Sequence, residues 1–314
     1  MSHWDPKLRV AASGYSGSGY RVPTRLGEDG KPLLVPGVTT VLGALDRPGV
    51  LQWSIDNTAA YAVANVDALL NRTEEQGFGF LRFYAKRMKE SDFDDPMVDI
   101  RNYSNGVLND LAELGSLTHD WIADFVNDFP EPDLTRNEQA DMIEKFLEWY
   151  AEHEIEVVVS EVTVVGDGYA GTLDHIWIID GIPTLVDVKT SRATRDEHFA
   201  QLAALGAADA MMVEVPEGTP GAVEYTRTSK GVKHTSYWIE RPVPAFSQYA
   251  ILHLRPNDYD SKGNFVPAFC ELKIIEYDLI EAAFELFEGA LKARHGQARL
   301  KAVKKALAKE DEDD

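Results

Sequence analysis

Two hydrophobic periods alternate along the chain. Between residues 106 and 129 the apolar positions Val107, Leu111, Leu114, Trp121, Phe125 and Phe129 recur at helical spacing. A second helix over 137–153 carries Met142, Phe146, Trp149 and Tyr150 on one stripe. After that helix the period becomes two. IEVVVSEVTVV, GTLDHIWII and IPTLVDVKT read as three strands, separated by Asp-Gly at 167–168 and again at 180–181. Asp-Gly between alternating runs favours a two-residue hairpin turn. EHFAQLAALGAADAMM (197–212) returns to the helical period, YAILHLRP and FVPAFCELKIIEY read as two further strands, and Asp278 opens a C-terminal helix. Upstream, residues 13–40 are rich in Gly, Pro and Ser and read as loops around short strands, and the chain becomes helical after Pro48. The pattern predicts a mixed α/β domain, a central sheet flanked by helices. Its parts are N-terminal loops, short strands and helices packed on the core (1–105), the core itself (106–291), and a basic helix with an acidic, disordered tail (292–314).

The two Asp-Gly turns make the strand register a matter of arithmetic. Across the second turn Ile179 faces Ile182, and stepping back sets Asp174 opposite Asp187. Across the first, Gly166 faces Tyr169, and stepping back sets Glu161 opposite Asp174. Three acids from three strands then lie in one row, and Lys189, two residues after Asp187, shares their face. Val157, Val159, Ile176, Ile178 and Leu185 are the apolar neighbours on that face. A longer, bulged loop at Gly166-Asp167-Gly168 would shift Glu161 and leave the aspartates paired. Directly opposed like charges are destabilising, and one lysine is too little cation for three carboxylates. Mg²⁺ or Mn²⁺, taken up by carboxylate oxygens, fits the ligand type. The alternative is a buried salt bridge from Lys189 to one acid, with the others solvated. His175 alternates to the opposite face and is excluded from the row.

Composition narrows the class. The 314 residues are 44% hydrophobic and contain one cysteine, Cys270, so the chain cannot by itself supply a disulfide framework or a cysteine-held iron–sulfur cluster. MSHWDPKLRV has no apolar signal region and no stretch approaches the ~20 apolar residues of a membrane span, which points to a soluble, cytoplasmic protein. The net charge of −21 argues against a polyanionic partner in the far field. Locally the charge reverses: KARHGQARLKAVKK (292–305) has six Lys/Arg and no acid. The segment YTRTSKGVKHTSYWIER (225–241) interleaves Arg227, Lys230, Lys233 and Arg241 with Tyr225, Tyr237 and Trp238. Cations among aromatic faces suit a single nucleic-acid strand, and a solvated loop is the other reading.

His119, two residues before Trp121 on a helix flank, is either a satisfied core histidine or a ligand. Gln201 is either a packing amide or a hydrogen-bonding partner of Lys189, a water or a phosphate. Arg192 and Arg195 follow the Asp187 strand and are placed to meet a phosphate backbone, or are simply solvated.

GTLDH with Asp174, DVKTS with Asp187, Val188 and Lys189, the downstream Gln201 of HFAQLAAL, and GSLTHDWI with His119 resemble, as an ordered set, the PD-(D/E)XK nuclease superfamily. The likeness is to the RecB-like exonucleases found in many phages, and with PGVTTVLGALDRPGVLQWS and AILHLRPN it runs over most of residues 35–285. The resemblance implies a restriction-endonuclease-like core and a Mg²⁺- or Mn²⁺-dependent DNA exonuclease of phage-type recombination, repair or replication. Its substrate would be linear ends or single strands, and a single-strand-annealing or recombination protein its partner. Asp174 and Asp187 are then the primary metal ligands, with the Val188 carbonyl and His119 further ones, and Glu161 reaching the ion directly or through water. Lys189 orients the attacking water or stabilises the developing charge. The departure is from the branch with an iron–sulfur cluster, since only Cys270 is present. A non-catalytic nuclease-fold module that binds DNA or protein, and a structure-specific endonuclease, are the competing functions.

Overall fold

A computed structural model describes residues 9–11, 18–45, 48–67, 70, 96–229, 232–260 and 262–313. The chain divides into two compact units, one formed by residues 1–45 with 117–314 and the other by 46–116. The smaller unit contains α2 (Pro48–Ala64) and the first part of α3 (Pro96–Val126). Within it the buried Ser104 hydroxyl donates to the Ser54 carbonyl at 2.9 Å and lies 3.0 Å from Thr58 Oγ1.

The larger unit is built on an eight-stranded mixed sheet. Its strands are β4 (Ile155–Gly166), β5 (Tyr169–Ile179), β6 (Ile182–Lys189), β7 (Ala210–Val215), β8 (Val223–Ser229), β9 (Val232–Arg241), β10 (Gln248–Arg255) and β13 (Phe269–Ile275), in the order β13-β10-β6-β5-β4-β7-β9-β8. Only β6 and β10 run parallel. A small sheet of β1 (Arg9–Ala11), β2 (Ser18–Leu26) and β3 (Pro32–Pro36) packs near β5, and β11 (Asp258–Tyr259) pairs with β12 (Phe265–Val266). α1 (Val38–Leu42), α5 (Asp196–Gly206) and α6 (Tyr277–Asp313) cover one region of the main sheet in a core with Ile176, Leu185, Ile251 and Phe287. On α4 (Asn137–Ala151) the stripe Met142, Phe146 and Trp149 is buried as its period predicts, and Trp149 stacks on Trp177 of β5 with ring centres 6.3 Å apart. Among the described residues no helix is long and apolar enough to cross a membrane.

The central meander follows the turn arithmetic closely. Ile179 pairs with Ile182 around Asp180 and Gly181, both left-handed at φ 49° and 84°, as a type I′ turn requires. Gly166 pairs with Tyr169, and there only Gly168 is left-handed, at φ 78°. The first loop is therefore short and unbulged. The irregularity lies further along β4, where the register shifts by one between Val157 and Val159. That shift sets Val157 opposite Trp177, so Val157 leaves the face of the acids.

Other sequence expectations are corrected. The helix expected over 197–212 ends at Gly206, because Met211 and Met212 pair as strand β7 with β9. The segment 225–241, for which a solvated loop is one of two readings, is the β8–β9 hairpin at the sheet edge. On α3 the expected stripe is only partly buried: Leu114 and Trp121 are covered, Leu111 is exposed, and Phe129 lies exposed beyond the helix. α6 continues helically through the acidic residues to Asp313, where the sequence reads a disordered tail.

Candidate metal centre

The site grows out of the margin of the β4–β5–β6 meander. The β5–β6 ladder runs from Ile179↔Ile182 to His175↔Val186, and one step further sets Asp174 against Asp187. There the Asp174 carboxylate takes over from the backbone: its Oδ2 accepts the Val188 N–H at 2.8 Å. On the other side, Ser160↔His175 and Val162↔Leu173 bracket Glu161 opposite Asp174. Glu161 itself is left-handed at φ 50°. That is a costly conformation for a side chain with a Cβ, and such strain gathers at functional positions.

α3 contributes His119, whose Nδ1 lies 3.5 Å from Asp174 Oδ2. Ligand atoms of His119, Glu161 and Asp174 all lie within 4.8 Å of one another. Lys189 Nζ stands 2.5 Å from Asp187 Oδ2 and donates to the Val188 carbonyl at 3.2 Å. Asp187 is 1% exposed, and its charged partner is the Lys189 ammonium. The two form a short, buried ion pair.

The electrostatics follow from burial. Desolvation pushes the Asp187 carboxyl up to about 6, with Asp174 adding to it and Lys189 opposing. Glu161 is raised well above the usual carboxylate range by burial and by Asp174, Asp120 and Asp187. Asp174 is raised by burial against the pull of Lys189 and the Val188 N–H. Burial works against the Lys189 charge, but the Asp187, Asp174 and Glu161 carboxylates outweigh it and hold the ammonium protonated. Burial and the Lys189 charge bring His119 down to about 4, so at neutral pH its imidazole is neutral and able to ligate.

These residues fit a hard divalent cation. Two carboxylates and a neutral imidazole offer O and N donors, and the surplus negative charge is what a cation relieves. Octahedral ligands at ~2.1 Å from Mg²⁺ stand about 3.0 Å apart when adjacent and about 4.2 Å apart when opposite, so the three groups draw in by up to about 2 Å to share one ion.

Of the residues singled out in the sequence, His119, Glu161, Asp174, Asp187, Val188 and Lys189 come together. The emphasis changes, however. Asp174 converges with His119 and Glu161, while Asp187, expected as a primary ligand with Asp174, is outside that cluster and engaged by Lys189. The salt-bridge alternative is realised for that one acid. Gln201 is half-buried on α5, and among the described residues no hydrogen bond joins it to Lys189. Arg192 is exposed, 3.9 Å from Asp258, and Arg195 is 3.8 Å from Glu197. Arg227 and Lys233 lie on β8 and β9 at the far sheet edge, away from the acids; Lys230 lies outside the described residues. Asp120, unremarked in the sequence, acts on both His119 and Glu161. Its position next to His119 in THDWI was the available signal.

No protein-family model matches the chain, and no curated protein matches it.

Proposed function

We propose that the protein is a divalent-metal-dependent deoxyribonuclease of the PD-(D/E)XK kind, acting on linear DNA ends in phage-type recombination, repair or replication. The observation that carries this reading is the convergence of His119, Glu161 and Asp174 beside a buried Asp187–Lys189 pair. His119, Glu161 and Asp174 would hold Mg²⁺ or Mn²⁺, with Asp187 and the Val188 carbonyl next to it. When bound, the ion neutralises non-bridging phosphate oxygens and acidifies a water.

The chain's own groups do the rest. Lys189 keeps its proton because three acids surround it, and its ammonium is a fixed positive charge for the phosphate as negative charge grows there. Val188 holds two parts of the site at once: its N–H fixes Asp174, and its carbonyl accepts from Lys189. Arg192 and Arg195, exposed just beyond β6, are available to backbone phosphates.

End-labelled linear DNA and closed-circular DNA, each with Mg²⁺, Mn²⁺ or EDTA, test the proposal. Linear DNA should be degraded with either ion and spared in EDTA, and circles should survive. Cleavage of circles would make the enzyme an endonuclease. No cleavage of either would remove the catalytic reading and favour a binding module.

A further inference from the structure

Lys189 is the last residue of β6, and a strand end is where a catalytic side chain is least well held. The two carbonyls that follow it, those of Thr190 and Ser191, are both captured by side chains of the neighbouring parallel strand. His253 of β10 stands beside Lys189 in the register. Its Nε2 lies 2.7 Å from the Ser191 carbonyl, and its Nδ1 3.1 Å from Lys273 Nζ. A carbonyl only accepts and an ammonium only donates, so the ring is neutral with its proton on Nε2. Two residues on, Arg255 donates from Nη1 to the Thr190 carbonyl at 3.1 Å and from Nη2 to Asp258 at 3.1 Å. His253 is 3% exposed, with its ring packed edge-on against Phe269 at 5.2 Å.

We infer that His253 and Arg255 are positioning residues: together they clamp the backbone after Lys189 and so fix the direction from which its ammonium enters the site. Nothing in the fold alone requires two polar side chains here. β10 already pairs with β6 through Lys189 and with β13 on its other side, so the sheet is closed without them. What the clamp adds is control of the two peptides beyond the ladder. Groups that orient a functional residue without touching substrate typically carry a tenfold to hundredfold effect, on the order of that of outer-shell partners at metal sites. The catalytic consequence rests on the nuclease reading; the positional claim does not.

The test uses His253→Phe, which keeps an aromatic ring against Phe269 but removes both polar contacts, and His253→Gln, whose amide N–H restores the donor to Ser191. Arg255→Leu reads the other half of the clamp if the phenylalanine variant does not fold. Amide hydrogen exchange over residues 188–193 should quicken about tenfold in His253→Phe and Arg255→Leu and return towards wild type in His253→Gln. Unchanged exchange in the first two overturns the clamp whether or not the wild-type protein cleaves DNA. With linear DNA and Mg²⁺, kcat should fall about 10- to 100-fold while KM and the Mg²⁺ titration stay put, and His253→Gln should recover most of the loss. A kcat equal to wild type in His253→Phe, or an equal loss in His253→Gln, overturns the positioning role. An inactive wild type would instead overturn the proposed function and leave the exchange result to decide the clamp.

Discussion

Neighbouring residues of β5 meet two different environments, and both bury ionisable groups. His175 is 1% exposed, its Nδ1 3.0 Å from Ser160 Oγ and its ring stacked 4.5 Å from Trp177. Burial, with His119 nearby, holds its pKa down to about 3, so it is neutral and hydrogen-bonded. The unpaired buried donor beside it is Trp177 Nε1, which carries no charge. One residue before His175, Asp174 crowds with Asp187 and Glu161 around one lysine, and the buried Asp187 has that lysine as its charged partner. A buried polar group is therefore not itself the mark of a site. The mark is a charge that the fold buries and leaves incompletely compensated.

Asp187→Ala should separate the two environments most strongly. Hydrolysis should fall by about a hundredfold or more, because the variant loses the partner that fixes the Lys189 ammonium. The fold should survive, because Lys189 keeps Asp174 and Glu161 as counter-charges and the acid row becomes less crowded. Single-turnover assays and thermal melts in EDTA measure the two sides. Undiminished hydrolysis by the purified variant would end the assignment of the site.

His175→Phe should do the reverse. It removes the bond to Ser160 and should cost about 1–3 kcal/mol of stability, with metal-dependent activity at saturating Mg²⁺ unaltered. Its pH dependence sharpens the contrast. The folded-state pKa of about 3 lies below the ordinary histidine value, so below that value the unfolded chain gains a proton that the fold refuses. Stability from this residue is present above about pH 6.5 and declines by roughly 1.4 kcal/mol per pH unit below it. At pH 5 the wild type should have lost about 2 kcal/mol that the phenylalanine variant never had, so the gap between them narrows. Asp187 works in the opposite sense. Its folded pKa of about 6 is raised, so the metal-free protein regains stability as pH falls through 6. Denaturant melts of wild type and His175→Phe in EDTA at pH 8 and pH 5 check this; a gap that widens on acidification would contradict it.

The meander was legible because Asp-Gly turns and period-two strands leave almost no freedom of register, and so the placement of Glu161, Asp174 and Asp187 could be counted out. The bulge at Val158 was not, since nothing in IEVVVSEV distinguishes one valine from the next. The β8–β9 hairpin carried a strand signal in its alternating Val, Tyr and Thr, but its charges and aromatics drew the reading towards a nucleic-acid contact or a solvated loop. His119 could be named but not placed, because whether a helix residue reaches a sheet depends on packing rather than on period. The Asp187–Lys189 contact was equally hidden: an acid and a lysine two apart on a strand share a face, and only the third dimension decides whether they pair with each other or with something else.

Glu161 gives the smallest predicted effect and the finest test of the comparison, because two costs meet in one residue. Its backbone at φ 50° is unfavourable for any residue with a Cβ, and its carboxylate is the one most opposed by its neighbours. Glu161→Ala removes the charge and keeps the strained backbone. Glu161→Gly removes both, at a penalty of about 0.5–1 kcal/mol for the freer unfolded chain. Strain of this kind is worth about 1–3 kcal/mol, so in EDTA the glycine variant should be more stable than the alanine variant by about 1 kcal/mol. Both should raise the Mg²⁺ needed for half-maximal activity, on the order of tenfold or more, because both lose the same carboxylate. Equal stability of the two variants would mean that the left-handed backbone stores no more strain than the ~0.5–1 kcal/mol that glycine costs in chain freedom. An unmoved Mg²⁺ titration would take Glu161 out of the ligand set and leave His119 and Asp174 to hold the ion.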